Sequence, residues 1–140
     1  MNDQQIEQGI QTKGLTAPRV TPEDIEANIV SEHYFTAGNG RDGDGAISIG
    51  PDRFGKKTGQ ALALLTFCVL VLRNGFTVTG ESACASPENF DAEIGRKIAR
   101  QNAVQKLWPL MGYALKQDLH RIDELVKDGV SYQKTGIAGG

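Results

Sequence analysis

Arg96 and Arg100 stand four residues apart, with Lys97 beside the first of them. On a helix that spacing lays two guanidinium groups along one stripe, suited to gripping phosphate or carboxylate oxygens. The plainer reading is a solvated face on which Glu93 and Lys97 form a favourable i,i+4 pair. Tyr34 and Trp108, the main aromatic residues outside the hairpin described below, could stack on a nucleobase or serve as core. Other chemistry is thin. His33 and His120 fall on different elements with no spacing that suggests a metal pair. Cys68 lies in the most apolar run of the chain, where a buried, inert thiol is expected; Cys84 makes no Cys-x-x-Cys motif with it. Glu81 and His33 could meet as acid and base on neighbouring strands, but a structural hydrogen bond is the commoner outcome. No enzyme, no metal site and no cofactor are expected.

Two stretches come close to ligand motifs and miss. Gly50-Pro51-Asp52-Arg53-Phe54-Gly55-Lys56-Lys57 nearly spells a phosphate loop. That motif needs a hydroxyl directly after the Gly-Lys pair and a place between a strand and a helix, whereas here Lys57 takes the position and Thr58 comes one residue late. Asp42-Gly43-Asp44-Gly45 resembles the middle of a calcium loop. Aligning Gly45 with the turn glycine puts Gly40 and Pro51 at the end ligand positions, where neither can supply a carboxylate.

The elements that must position these residues can be read from period and punctuation. Thr21 caps a helix with Pro22 at its first position and Glu23 and Asp24 at the positive end of its dipole, reaching about Ser31. Residues 33–36 favour a short strand. Residues 38–60 are dominated by Gly, Asp, Lys and Arg and read as a long mobile loop, with a minor strand conceivable at 46–49. The clearest signal is a hairpin: residues 64–72 are apolar, Asn74-Gly75 favours a two-residue type I′ turn, and residues 76–82 alternate. That turn sets Leu72 opposite Thr77 and Val71 opposite Val78. Phe67, Val69, Val71, Phe76 and Val78 then form the core face. Cys68, Leu70, Leu72, Thr77, Thr79 and Glu81 form a mixed face open to a partner or ligand. Ser86 and Pro87 start a second long helix carrying Phe90, Ile94, Ile98 and Val104 at helical spacing, which Pro109 ends or kinks. A last helix runs to about Lys127 with Met111, Leu115, Leu119, Ile122 and Val126 on one face, and Gly129 stops it.

The predicted fold class is therefore α+β: an antiparallel hairpin or small sheet packed against two or three helices in a single domain, 21–127. Residues 1–20 and 128–140 are expected to be flexible. At 140 residues the chain is long enough to bury a core without disulfides. Its net charge of −2 argues against a protein that coats nucleic acid through a general positive field. The longest apolar run, 61–72, is too short to span a bilayer, and the first residues lack the pattern of a signal peptide, so a cytoplasmic protein is expected.

Several longer runs resemble a tailed-phage family catalogued after gene 49 of one coliphage and gene 66 of a Shigella phage. They are residues 21–27 and 31–37, the stretch 65–84 with its Arg73-Asn74-Gly75-Phe76-Thr77-Val78-Thr79-Gly80-Glu81-Ser82 centre, residues 89–100, and Trp108-Pro109-Leu110. The resemblance covers about residues 20–115, with 38–60 outside it. It implies a phage protein acting in the host cytoplasm. Small phage proteins of this kind often counter host defences, and one class consists of oligomeric sponges that sequester cyclic nucleotide immune signals. On that implication Arg96, Lys97 and Arg100 would meet phosphates and Tyr34 or Trp108 would stack a base. Thr77, Thr79, Glu81 and Ser82 would read its polar edges in a homo-oligomer. Two alternatives stand beside it. One is a nucleic-acid accessory protein, since the order helix, strand, strand, strand, helix resembles a double-stranded RNA-binding domain, although Glu88 and Asp91 occupy the place of its basic cluster. The other is a protein that inhibits a host factor through the mixed hairpin face or the 38–59 loop.

Overall fold

A computed structural model describes residues 2–129. The chain is α+β, with a three-stranded antiparallel sheet and helices before, between and after its strands. The elements are α1 (Asp3–Thr12), α2 (Pro22–Asn28), β1 (Ile29–Thr36), α3 (Ala37–Arg41), α4 (Lys56–Ala63), β2 (Leu65–Leu72), β3 (Thr77–Ala83) and α5 (Ala92–Lys127). The described residues fall into two compact units, one of residues 2–29 and 106–129, the other of residues 30–105.

In the first unit, residues 3–12, part of the lead-in expected to be flexible, form α1. Asn2 and Gln5 make a reciprocal capping box at its start. A period search misses this helix because it buries no residue of its own. Its support is polar: Trp108 donates its indole N–H to Asp3 at 3.1 Å, and Arg19 grips Glu7 with two nitrogens. α2 starts as predicted, with Thr21 and Asp24 capping each other and Pro22 at the first position, and it buries Ile25. It ends three residues early because Ile29 and Val30 belong to β1. Pro109 neither ends nor divides the last helix. α5 runs unbroken through it, although proline leaves the Gln105 carbonyl without its helical donor. Leu107, Met111 and Leu115 recur every four residues and are buried, which holds one face of the helix down across the defect. Val126, assigned to that face from its spacing, is 60% exposed. Gly129 closes the helix with a positive φ as expected. Of the C-terminal tail expected to be flexible, residues 130–140 lie outside the described residues.

In the second unit the sheet order is β1-β2-β3, so β1 and β3 are not neighbours and His33 cannot pair across strands with Glu81. The hairpin forms, but its register is one residue away from expectation: Leu70 faces Val78 and Val71 faces Thr77. A type I′ turn needs positive φ at both central residues, and here only Gly75 has it. The loop instead holds three residues, 73–75. Leu72 and Phe76 close it at 2.8 Å, and the Asn74 side chain accepts the Phe76 N–H. A one-residue slip changes which β3 side chains share a face with which β2 side chains. The buried face consists of Thr66, Cys68, Leu70 and Leu72 with Val78 and Gly80. Phe67, Val69 and Val71, expected as core, share the open face with Thr77, Thr79 and Glu81.

Gly80 explains why this register wins. A Cβ there would lie 2.1 Å from the Ala99 carbonyl and 2.3 Å from the Ala103 nitrogen, so the α5 backbone rests directly on the strand. Gly95, Ala99 and Ala103 form the helix stripe that makes this approach possible. The larger Ile94 and Ile98, expected to face the core, are 55% and 42% exposed. Asn102 adds a hydrogen bond from its amide to the Glu81 carbonyl at 2.7 Å. The helix begins at Ala92 rather than Pro87, with Asp91 accepting the Ile94 N–H as its cap, while residues 87–89 form one 3₁₀ turn. Between β1 and β2, two helices replace part of the expected loop, and residues 46–49 are not a strand. This insertion departs from the strand-after-strand order of the double-stranded RNA-binding domain.

Candidate functional site

The residues singled out from sequence go to three places. Trp108 belongs to the first unit, where its indole serves Asp3. Thr77, Thr79 and Glu81 lie on the open face of the sheet, with a Thr79 hydroxyl to Glu81 contact of 3.3 Å. Beside them on that face Phe35 and Phe67 stack with centroids 5.7 Å apart. Tyr34, Arg96 and Arg100 gather on the helix-covered side, and Ser82 sits opposite Thr66 on that same buried side. Within the second unit, Thr77, Thr79 and Glu81 therefore lie on the face of the sheet opposite Tyr34, Arg96 and Arg100. The cause is the hairpin slip, which separates odd-numbered β3 residues from the helix side.

The group on the helix side has a clear construction. Strand alternation puts Glu32 and Tyr34 on the same face of β1. The Tyr34 hydroxyl donates to Glu32 at 2.6 Å, and Arg100 reaches the same carboxylate with Nε at 3.1 Å and a terminal nitrogen at 3.2 Å. The side chains of this ion pair are 27% and 38% exposed, so it contributes no more than about 1 kcal/mol to folding. The Arg100 hydrogen bonds, and then that of Tyr34, hold the Glu32 carboxyl below its ordinary range. Burial, and then the bond to Glu32, pushes the Tyr34 phenol well above its own. Burial also raises the Cys68 thiol, which is fully enclosed and unsuited to act as a nucleophile.

A cleft of about 120 Å³ opens beside this network. Its walls come from the end of β1 and the start of α3 (Tyr34, Phe35, Thr36, Asn39), from Thr66 of β2, and from Phe90, Ala92 and Arg96 at the start of α5. Thr36 and Asn39 cap each other across the first turn of α3, which fixes that wall. Gly95 lets α5 approach Thr66, since a Cβ there would meet its hydroxyl at 3.1 Å. Arg96 has no ion-pair partner among the described residues. Lys97 points elsewhere, 76% exposed and paired with Glu93 at 3.4 Å. Sequence reasoning missed Glu32, Asn39, Thr66 and Phe90. Two of these carried a signal: Glu32 is two residues from Tyr34 on a strand, and Thr66 is the polar interruption in an apolar one.

The near-motifs resolve as local structure. α4 has no strand before it, and the Asp52 carboxylate already takes up the Phe54 and Gly55 N–H groups and the Thr58 hydroxyl at its start. Thr58 first, then these backbone donors, hold the Asp52 carboxyl below its ordinary range. Asp42 pairs with Arg41, and no group of three or more potential metal ligands is assembled among the described residues. Among the same residues, no helix is long and apolar enough to cross a membrane.

The described residues thus define an α+β protein whose small sheet and long helix frame an arginine-lined cleft. Residues 20–119 match the phage protein family named for N4 Gp49 and phage Sf6 gene 66, and the chain belongs to that family. The match includes residues 38–60, which the sequence resemblance had left outside. No curated protein matches the chain, and no solved structure does.

Proposed function

We propose that this phage protein is a non-catalytic binding protein that sequesters a phosphate-bearing nucleotide, acting in the host cytoplasm against a nucleotide immune signal. The observation that carries the reading is Arg96. It lines a cleft with no carboxylate of the described residues paired to it, one helical turn from Arg100, with Tyr34 and Phe90 as aromatic walls. Guanidinium groups at this spacing suit phosphate oxygens, and aromatic rings suit a base. A cleft of about 120 Å³ holds a ring or a phosphate, whereas sites for whole small molecules run to about 300 Å³ or more. A second copy of the chain would supply the missing walls, which supports a homo-oligomer as the binding form. Incubating the purified protein with cyclic dinucleotides and related signals, then heating it to release the ligand, tests this. Recovery of intact nucleotide is expected. Failure to bind any nucleotide, or recovery of a cleaved one, overturns the reading.

One observation favours a second reading, direct contact with a host protein. Ile47, Ile49 and Phe54 in the segment between α3 and α4 are 83%, 94% and 69% exposed. Large apolar side chains this open commonly mark a macromolecular contact. Capture of a host protein by the wild type and not by an Ile47→Asp, Ile49→Asp double variant would favour this reading over the first.

A further inference from the structure

Glu32 holds the Arg100 guanidinium in the way a ligand phosphate would. Two nitrogens of one planar fork, Nε and a terminal nitrogen, meet two oxygens of one anion at 3.1 and 3.2 Å. Carboxylate and phosphate present the same bidentate oxygen pair to that fork, so the two compete for it. Glu32 does not stand alone in this role. The Tyr34 hydroxyl donates at 2.6 Å to Oε1, the same oxygen that Nε meets at 3.1 Å, and Tyr34 is itself a wall of the cleft that Arg96 lines. The two arginines of one helix stripe thus differ in state: among the described residues Arg96 has no anionic partner, and Arg100 is already occupied by one. Both partners of the occupied pair retain solvent access, which leaves the exchange sterically open.

We propose that Glu32 is a built-in competitor, a carboxylate that occupies the Arg100 fork until a phosphate displaces it, and so sets the affinity and selectivity of the site. This rests on the phosphate-binding reading above and adds the group that regulates it. A ligand with one phosphate can satisfy Arg96 without disturbing Glu32. A ligand with two suitably spaced phosphates recovers the cost of displacing Glu32 by gaining Arg100 as well. The site would therefore discriminate against mononucleotides. Apparent affinity falls by the fraction of molecules in which Arg100 is free to bind, and removing the competitor restores it.

The test compares wild type, Glu32→Gln and Glu88→Gln for binding of inorganic pyrophosphate and 3′,3′-cyclic di-AMP by calorimetry at fixed ionic strength. Glu32→Gln keeps the shape and removes the charge; Glu88→Gln removes an exposed acid near Phe90 and controls for net charge. The expected result is a gain of about tenfold or more in Glu32→Gln, with little change in Glu88→Gln. The Arg100 Nε–H resonance, followed by NMR, should shift on adding pyrophosphate to the wild type as its partner changes. Tyr34→Phe, which takes one hydrogen bond from Glu32, should give a smaller gain and keeps the test open should Glu32→Gln fold poorly. Binding that is unchanged or weaker in Glu32→Gln, or an equal gain in Glu88→Gln, overturns the competitor and leaves the binding function standing. Absence of binding by every variant overturns both.

Discussion

Replacing Gly80 by alanine should cost this fold more than its one added methyl suggests. The strand conformation at Gly80 has no positive φ, so alanine is not strained by its own backbone there. The obstacle is the helix. A Cβ would sit 2.1 Å from the Ala99 carbonyl, 2.3 Å from the Ala103 nitrogen and 2.9 Å from the Ala103 Cα. These are backbone atoms, which cannot rotate away as a side chain would. Comfortable contact needs roughly 3.5 Å, so α5 must retreat by about 1 Å or more from β3. That retreat loosens the contact that buries Ala99 and Ala103 and strains the Asn102 to Glu81 hydrogen bond. Overpacking of this kind costs about 1–3 kcal/mol, and a clash on backbone belongs at the upper end. The smaller backbone entropy of alanine in the unfolded chain returns about 0.5–1 kcal/mol. A net loss of about 2 kcal/mol should lower the urea midpoint by about 1 M for a slope near 2 kcal/mol/M. Gly112→Ala is the matched control: its Cβ meets nothing within 4 Å, so it should stabilise α5 by about 0.5–1 kcal/mol. A Gly80→Ala midpoint within about 0.3 M of wild type would refute the close approach of helix and sheet.

Three further outcomes can be measured. Arg96→Ala should abolish or severely weaken nucleotide binding in calorimetry while changing thermal stability by less than about 0.5 kcal/mol, because the side chain is exposed and has no ion-pair partner among the described residues. The Glu32 carboxyl is held below its ordinary value of 4.5, so its stabilisation is present above that value and is lost as pH falls through the lower folded one. Wild type should accordingly lose stability faster than Glu32→Gln as the solution is acidified below about pH 4.5, by at most about 1 kcal/mol for so exposed a pair, and parallel denaturation curves would count against the pairing. A thiol reagent at pH 8 should modify Cys84 first and reach Cys68 only on unfolding, because burial both encloses Cys68 and raises its pKa; mass spectrometry showing Cys68 labelled in the native state would contradict its position.

Local signals were the most legible part of this chain. Thr21 with Pro22, the Asn74-Gly75 punctuation and Gly129 each mark a boundary through backbone chemistry that no distant contact needs to decide. What stayed hidden depends on contacts across the fold. Asn74-Gly75 names a turn but not its length, since the choice between two and three loop residues rests on whether Val78 or Thr77 is buried and on Gly80 lying under α5. The same contact hid the helix face: a search for large apolar residues favours Ile94 and Ile98, while Gly95, Ala99 and Ala103 pack because they are small. Pro109 is a strong local stop signal overridden by the buried spacing of Leu107, Met111 and Leu115. For the cleft, the Arg96 and Arg100 stripe and Tyr34 were readable, whereas Glu32 acquires meaning only once β1 and α5 are brought together.

The three-residue loop at 73–75 acts as a parity element for the sheet. Closing the same chain over two residues instead, with Arg73 drawn into β2 opposite Phe76, would leave the β2 faces unchanged yet exchange the inner and outer side chains of β3, turning Val78 outward and sending Thr77, Thr79 and Glu81 beneath α5. Gly80 would move off the helix contact in the same step, so display and packing cannot be altered separately. What must be kept is therefore the pairing of Leu72 with Phe76 rather than the number or identity of the residues between them, and a change that draws Arg73 into the strand is the one the sheet cannot absorb.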